Sequence, residues 1–431
     1  MAYAIGVIVL VVGIIVSVAL HELGHMIPAK AFGVRVSQYM VGFGPTIWSR
    51  TKGETEYGFK WILAGGYVRL IGMYPPAPAS GKPRRGRVAE LVRSAREAST
   101  DEILPGQEPR AFYNLSAPKK LVVMLGGPFM NLVIAFVLLA IVQVGFGSLQ
   151  VSTTVSTVAS CVASPDAAAD STCSVGADGA SPASASGLQA GDTITAVDGA
   201  VTPTWEDVQQ AIVAAGTDPL TMQVDRDGST VTLTMAPRLV QRTVAADDGS
   251  TSVESVPVVG MSPGYEYVRQ SIASVPGLIW QQVTGTAKAI ATLPAQVTDV
   301  ARSAFGGKPR SQDSIMSVVG VGRVAGEVAA VDTTGLPGSV HFVQLLSLLA
   351  SLNIALFAFN LIPLPPLDGG HVVGALYEGA KRQVARLRRR PRPGPADTAR
   401  LVPIAYGAFI VLFAMGVLLM YADVVAPVQL G

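Results

Sequence analysis

The sequence predicts a polytopic α-helical membrane protein with four transmembrane helices, a membrane-associated β hairpin and an α/β domain inserted on the extracytoplasmic side. Three observations carry this expectation. Of 431 residues, 49% are hydrophobic and only 14% charged, with a mean hydropathy of +0.43, where soluble domains carry about 25% charged residues. The apolar residues gather in four blocks, 2–27, 119–146, 341–363 and 401–422, each long enough at ~1.5 Å per residue to cross a hydrocarbon core of roughly 30 Å. The bases gather in the connections between blocks one and two and between blocks three and four, which gives the spans one consistent orientation.

The first block, AYAIGVIVLVVGIIVSVALHELGHMI, has no basic stretch before it and runs directly into His21 and His25. It reads as a retained span rather than a signal peptide. The second holds Gly126, Gly127, Pro128 and Asn131, and the third Asn353 and Asn360; polar and helix-breaking residues inside a span indicate packing or function. The fourth is plain. Arg84, Arg85, Arg87, Arg93, Arg96, Lys119 and Lys120 follow block one, and the run KRQVARLRRRPR from Lys381 follows block three. Basic loops stay cytoplasmic, so both termini and the long middle segment are expected outside. That segment is acid-rich, with Asp166, Asp170, Asp178, Asp192, Asp198, Glu206 and Asp207. The net charge of +2 does not point to nucleic acid, because the bases sit beside spans, where they set topology or touch anionic lipid.

Between the spans the pattern changes. Residues 34–70 alternate apolar and aromatic residues with glycines, predicting short strands with turns at Gly42–Pro45 and Lys52–Gly53. Phe43, Trp48, Phe59 and Trp61 suit the membrane interface. Residues 75–110 read as a Pro/Arg/Glu loop with a short helix at 86–97 and no evident chemistry. Residues 149–186 are Ser/Thr/Ala-rich and show no clear strand. From 187 a folded pattern resumes: a strand at 193–197, a turn at Asp198–Gly199, a helix at 205–214 capped by Thr204 with Asp207 in its third position, and two strands around Asp227–Gly228. Residues 262–335 read as amphipathic helices and a Gly/Ser-rich lead into block three. The organisation expected is an N-terminal membrane half (1–148), an extracytoplasmic domain (149–260), an amphipathic connection (261–340) and a C-terminal membrane half (341–431). Cys161 and Cys173, the chain's two cysteines, lie in the segment read as outside and suit a disulfide there.

The chemistry centres on His21-Glu22-Leu23-Gly24-His25, an H-E-x-x-H motif. Helical positions i and i+4 share a face, so both imidazoles reach one metal ion, and Glu22 is placed to take a proton from an attacking water. Gly24 keeps that turn slim for a substrate backbone. Three ionisable side chains at the end of a span are costly without a function. Catalytic zinc takes a third protein ligand. Asp368 is the stronger candidate, because NLIPLPPLDGG pins and then turns the chain there. His371 lies on the same side of the membrane, whereas His341 is expected at the opposite end of block three.

At these residues the chain resembles the site-2 protease family of intramembrane zinc metalloproteases, and within it the bacterial envelope-stress group and its actinobacterial members. HELGH at 21–25 resembles the family's first-helix motif. Asn360, Pro363, Leu367, Asp368 and Gly369 match Asn-x-x-Pro-x-x-x-Leu-Asp-Gly, and GGPFMN at 126–131 resembles the second-span motif. The resemblance implies one Zn²⁺ held by His21, His25 and Asp368, catalysis by Glu22, and substrate contacts at Asn131 and Asn360. YVRL at 67–70, behind Gly65 and Gly66, resembles the hairpin edge on which these enzymes pair an unwound substrate strand, with Gly65, Gly66 and Tyr67 at the contact. GLQAGDTITAVDG within 187–238 resembles a single PDZ domain. Implied substrates are single-span proteins such as anti-sigma factors, trimmed first by a site-1-type protease, and remnant signal peptides, in the bacterial plasma membrane. The alternatives are a membrane-anchored zinc protease for juxtamembrane peptides, disfavoured by the Gly and Asn residues inside spans, and a non-enzymatic PDZ scaffold, which leaves the paired motifs of blocks one and three unexplained. A transporter is weaker still, since no internal duplication is visible.

Overall fold

Among the described residues, four helices are long and apolar enough to cross a membrane: Ala2–Ala31, Ala117–Phe146, Val340–Asn360 and Thr398–Val425. They agree with the four apolar blocks to within a turn or so at each end. The structure, a computed structural model, describes residues 2–77, 86–163, 172–245, 251–306, 310, 314–330, 340–391 and 393–428. Arg84, Arg85, Asp166, Asp170 and the lead at 331–339 lie outside the described residues. The chain divides into two units, Met1–Gly145 with Ser271–Gly431, and Phe146–Gln270.

In the first unit, α1 (Ala2–Ala31) crosses α3 (Ala117–Ala140, continued as a π-helix over Ile141–Phe146) at glycines. A Cβ on Gly24 would lie 2.2 Å from the Gly126 carbonyl oxygen, and one on Gly126 would lie 2.0 Å from that of Gly24. Backbones this close need two residues without side chains. The slim turn expected to admit substrate is therefore filled by α3.

Between α1 and α3 lie β1 (Val36–Lys52), β2 (Thr55–Leu70) and α2 (Arg87–Asp101). β1 and β2 are more than a hairpin, because each doubles back. Val36–Val41 pairs on one side with Gly66–Leu70 and on the other with 56–59, while Thr46–Lys52 pairs with 55–60. Four short runs thus lie side by side, with 66–70 at one edge. The reversal expected at Gly42–Pro45 is there, at Gly42 (φ +99°) and Gly44 (φ +82°). Phe43, Trp48, Phe59 and Trp61 all stand exposed.

After the inserted unit come α7 (Val275–Gly306), α8 (Val318–Ala330), α9 (Val340–Asn360), α10 (Asp368–Leu387) and α11 (Val402–Val425). Among the described residues of the connection read as amphipathic helix, α7 and α8 are α-helical, a 3-10 turn spans Ile272–Ser274, and the first residues are a strand of the inserted unit. Asn353, fully buried, donates to Ser17 Oγ at 3.0 Å and ties α9 to α1 one turn before His21.

The second unit holds β3 (Ser148–Val158), two single-turn helices α4 (Val175–Asp178) and α5 (Pro182–Ala185), β4 (Thr193–Val197), β5 (Ala200–Val201), α6 (Trp205–Ala215), β6 (Leu220–Arg226), β7 (Ser229–Met235), β8 (Arg238–Ala245), β9 (Thr251–Val258) and β10 (Met261–Val268). One sheet runs β10-β3-β4-β6-β7 with β5 beside β4, and β8-β9 pair separately. Val155, Ile194, Val208, Ile212, Leu220 and Met222 form its core. The sequence reading lacks β3, β5, β8, β9 and β10; in β3 the buried residues, Ser152 and Val155, stand three apart, so its Ser/Thr-rich run shows no clean alternation. Thr204 and Asp207 cap α6 reciprocally, and Asp198 and Asp227 take positive φ in their turns, as their pairing with Gly predicts. Cys161 and Cys173 are disulfide-bonded.

Asp192, buried, accepts two hydrogen bonds from the Arg226 guanidinium at 2.7 Å each and one from the Gln189 N–H. The Arg226 hydrogen bond holds its carboxyl below the usual carboxylate range. A depressed folded-state pKa stabilises above the unfolded value and is lost as pH falls through the folded one. Asp192→Asn should therefore raise amide exchange around Gln189 and Asp192 in the full-length chain near neutral pH. The wild type should lose that protection on acidification, and the variant should show little such dependence.

Candidate active site

Three side chains from opposite ends of the sequence converge in the membrane unit. His21 and His25 leave the same face of α1, one turn apart. Asp368 opens α10, where the preceding Pro-rich turn packs tightly: a Cβ on Gly369 would lie 2.2 Å from the Ile362 carbonyl oxygen and one on Gly370 2.6 Å from the Pro365 nitrogen. The two Nε2 atoms are 3.2 Å apart, and Asp368 Oδ2 lies 3.4 Å from that of His21 and 3.3 Å from that of His25. Adjacent corners of a tetrahedron with bonds of about 2.0–2.1 Å, the usual zinc geometry, are ~3.3 Å apart. The three atoms occupy three such corners.

Their protonation fixes what the space wants. His25 Nδ1 lies 2.8 Å from the Val123 carbonyl oxygen. A carbonyl accepts only, so Nδ1 carries the proton, and in the neutral ring that would bind a metal the Nε2 lone pair is the one facing inward. His21 Nδ1 lies 3.1 Å from the amide of Asn131, which is fully buried and whose Oδ1 has no hydrogen-bond partner. With His21 Nε2 turned to a metal, its Nδ1 carries the proton, and the Asn131 amide must turn so that Oδ1 accepts it. Asp368 Oδ2 is buried without a hydrogen bond. Two imidazole lone pairs and a carboxylate oxygen thus meet within 3.4 Å, an arrangement that a cation makes favourable. Gly127 backs the same space, since a Cβ there would lie 2.2 Å from His25 Nε2 and 2.7 Å from His21 Nε2.

A cavity of about 940 Å³ opens onto these ligands. Glu22 lines it, and so does Val68 of the 66–70 edge. Gly66 lets the 66–70 edge close on α1: a Cβ there would lie 3.0 Å from Glu22 Cγ. Tyr39 on the neighbouring run donates to the Ala19 carbonyl at 2.6 Å, fixing α1 just before His21. Burial and then the nearby Glu22 charge push the Tyr39 phenol up to about 12.

Of the residues singled out in the sequence, His21, Glu22, His25, Gly66, Tyr67, Asn360 and Asp368 line this cavity, and so does His371, outside the ligand cluster. Asn131 lies behind His21, with its amide directed at the ring. Gly65 packs on Phe43, where a Cβ would meet the ring at 2.6 Å. Sequence reasoning singled out Gly127 for packing or function without placing it against the histidines, missed the Val123 carbonyl, and gave α2 no part. Ala95, Ala98, Ser99 and Glu102 from α2 and its C-terminal cap line the cavity. The Gly126–Gly127 pair inside a span was the available signal for the first.

The sequence profile of Peptidase family M50 matches residues 9–390. The chain belongs to peptidase family M50. It is 32% identical over 449 residues to the zinc metalloprotease Rip1 of Mycolicibacterium smegmatis and 30% identical over 438 residues to that of Mycobacterium tuberculosis, in each case across 100% of both chains. It is 30% identical over 379 residues, 86% of each chain, to the metalloprotease MmpA of Caulobacter vibrioides. This M50 peptidase is a zinc metalloendopeptidase of membrane-spanning architecture, with His21, His25 and Asp368 as the residues that fit the ion. Zinc supplies Lewis acidity that activates water and polarises the carbonyl under attack.

Proposed function

We propose that this M50 peptidase cleaves a peptide bond within the transmembrane segment of single-span proteins whose outer part another protease has already removed, anti-sigma factors and remnant signal peptides among them. The observation that carries the reading is one cavity lined jointly by the metal-binding cluster, Glu22 and the Gly66–Leu70 edge. A helical peptide bond is shielded until its helix unwinds, and an unwound strand in an apolar site needs partners for its backbone groups. The 66–70 edge supplies them by strand addition, and Gly66, without a side chain, brings the added backbone down to Glu22. Glu22 acts as the base that takes the proton of the attacking water and passes it to the leaving nitrogen. Asn360 holds the substrate backbone, and Asn131 fixes the His21 ring.

The orientation that fits the basic loops places both termini and the second unit outside. α6 and the sheet around it support a PDZ-like reading of that unit. Its groove of about 690 Å³, lined by Trp205, Gln209 and Ile212 of α6 and by Val259–Ser262, suits an extended peptide.

Purified protein in liposomes, given a tagged single-span peptide with a trimmed outer part, should cut it within the span by mass spectrometry. Glu22→Gln should retain zinc and lose turnover, and a zinc chelator should stop the wild type. Turnover by Glu22→Gln, or cleavage confined to residues outside the span, would overturn the reading.

A further inference from the structure

α2 stands outside every motif that identifies the family, yet it walls the catalytic cavity. Its Ala95, Ala98 and Ser99, with Glu102 at its cap, follow the spacing i, i+3, i+4, i+7 and so form one face, and this face lines the cavity together with Met73, Tyr406 and Phe409. Three fixed points hold it there. Arg96 Nη2 lies 2.5 Å from Asp397 Oδ2, in the segment leading into α11. Arg69 of the edge lies 3.3 Å from Glu102. Ser99 Oγ accepts from the Tyr74 N–H at 3.0 Å.

Distance along the edge says which part of a substrate would meet α2. A strand rises roughly 3.3 Å per residue, so Gly66, over Glu22, and Leu70 are separated by ~13 Å, or about four substrate residues. The face opposed to Tyr406 and Phe409 is small by sequence, and a wall of alanines beside large apolar groups leaves room for a bulky apolar side chain.

We propose that α2 is the specificity wall of the cleft: Ala95 and Ala98, with Met73, Tyr406 and Phe409, shape a subsite for a large apolar side chain about three to four residues from the scissile bond, toward Leu70. The proposal rests on the proteolytic reading above and assigns a selection step to a helix that reading leaves without one.

The test compares two single-span peptides, alike except for Phe or Gly at that position, cleaved by wild type and by Ala98→Trp. Wild type should favour Phe by on the order of tenfold in kcat/KM, as an apolar pocket discriminates by volume. Ala98→Trp should erase or invert the ratio. A ratio taken within one enzyme is unaffected by the fraction that folds. An unchanged ratio overturns the proposal. A second arm needs no turnover: with Glu22→Gln protein, a benzoylphenylalanine at the same peptide position should crosslink to 95–102. Adducts confined to other elements overturn the wall assignment even where no peptide is cut, which separates its failure from that of the proteolytic reading.

Discussion

Gly127→Ala should empty the metal site and abolish proteolysis, although it adds one methyl group to a membrane helix. In helices alanine is favoured over glycine by about 1 kcal/mol, so the backbone of α3 itself has no reason to fail. The cost arises because the new Cβ would stand 2.2 Å from His25 Nε2 and 2.7 Å from His21 Nε2, inside van der Waals contact and on the side where the lone pairs converge. Neither ring turns away freely: His25 is held at Nδ1 by the Val123 carbonyl, and His21 by the Asn131 amide. Backbone retreat would open the close Gly24–Gly126 crossing and break the hydrogen bonds of His25 to Val123 and of His21 to Asn131. Zinc content of the purified variant, measured by plasma emission, should fall from one per chain to near zero. Gly416→Ala in α11, where nothing lies within 4 Å, should leave zinc and turnover as in the wild type. Full zinc occupancy in Gly127→Ala would show that the rings relax and that the convergence is not tight.

What the sequence told in advance follows from which interactions are local. The four spans were legible because lipid solubility is a property of a run of residues, and HELGH because i and i+4 share a face whatever surrounds them. Asp368 was legible through its own turn. The turn at Gly42–Pro45 was visible, but not that it lets 36–41 lie between two runs of β2, since pairing is settled by partners far along the chain. β3 escaped because its buried residues, Ser152 and Val155, stand three apart, so the run carries no period-two pattern to read. α2 was read as a helix without chemistry, because facing a cavity is a tertiary fact; three small residues on one helical face carry no signal of their own. Gly24 was read for substrate and serves a helix crossing, a distinction that only the position of Gly126 makes.

Glu378→Ala should destabilise the membrane unit more than Lys120→Met, and should weaken zinc binding from a distance. Glu378 is buried on α10 and accepts from Lys120 Nζ of α3 at 2.7 Å, while Arg382 lies at 2.7 Å and the Ala396 N–H donates at 2.9 Å. Lys120 is itself buried. Removing the carboxylate strands a buried ammonium, crowds it with Arg382 and frees a backbone N–H, a loss of about 3–5 kcal/mol for a broken buried pair. Removing the ammonium leaves the carboxylate with Arg382 and the Ala396 N–H, and Met fills the space, so the loss falls toward the ~1.5–3 kcal/mol of one charged hydrogen bond. The pair also clamps α10 onto α3, and the same helix begins at Asp368 some three turns earlier. A looser α10 lets Oδ2 drift from the two Nε2 atoms, so zinc affinity measured by chelator competition should follow the same order, Glu378→Ala weakest. The double variant Lys120→Met with Glu378→Gln, which removes both charges, should recover much of the lost stability. Equal losses in the two single variants, or zinc affinity untouched in Glu378→Ala, would show that α10 is held by apolar packing and that the ion pair merely fills a polar gap.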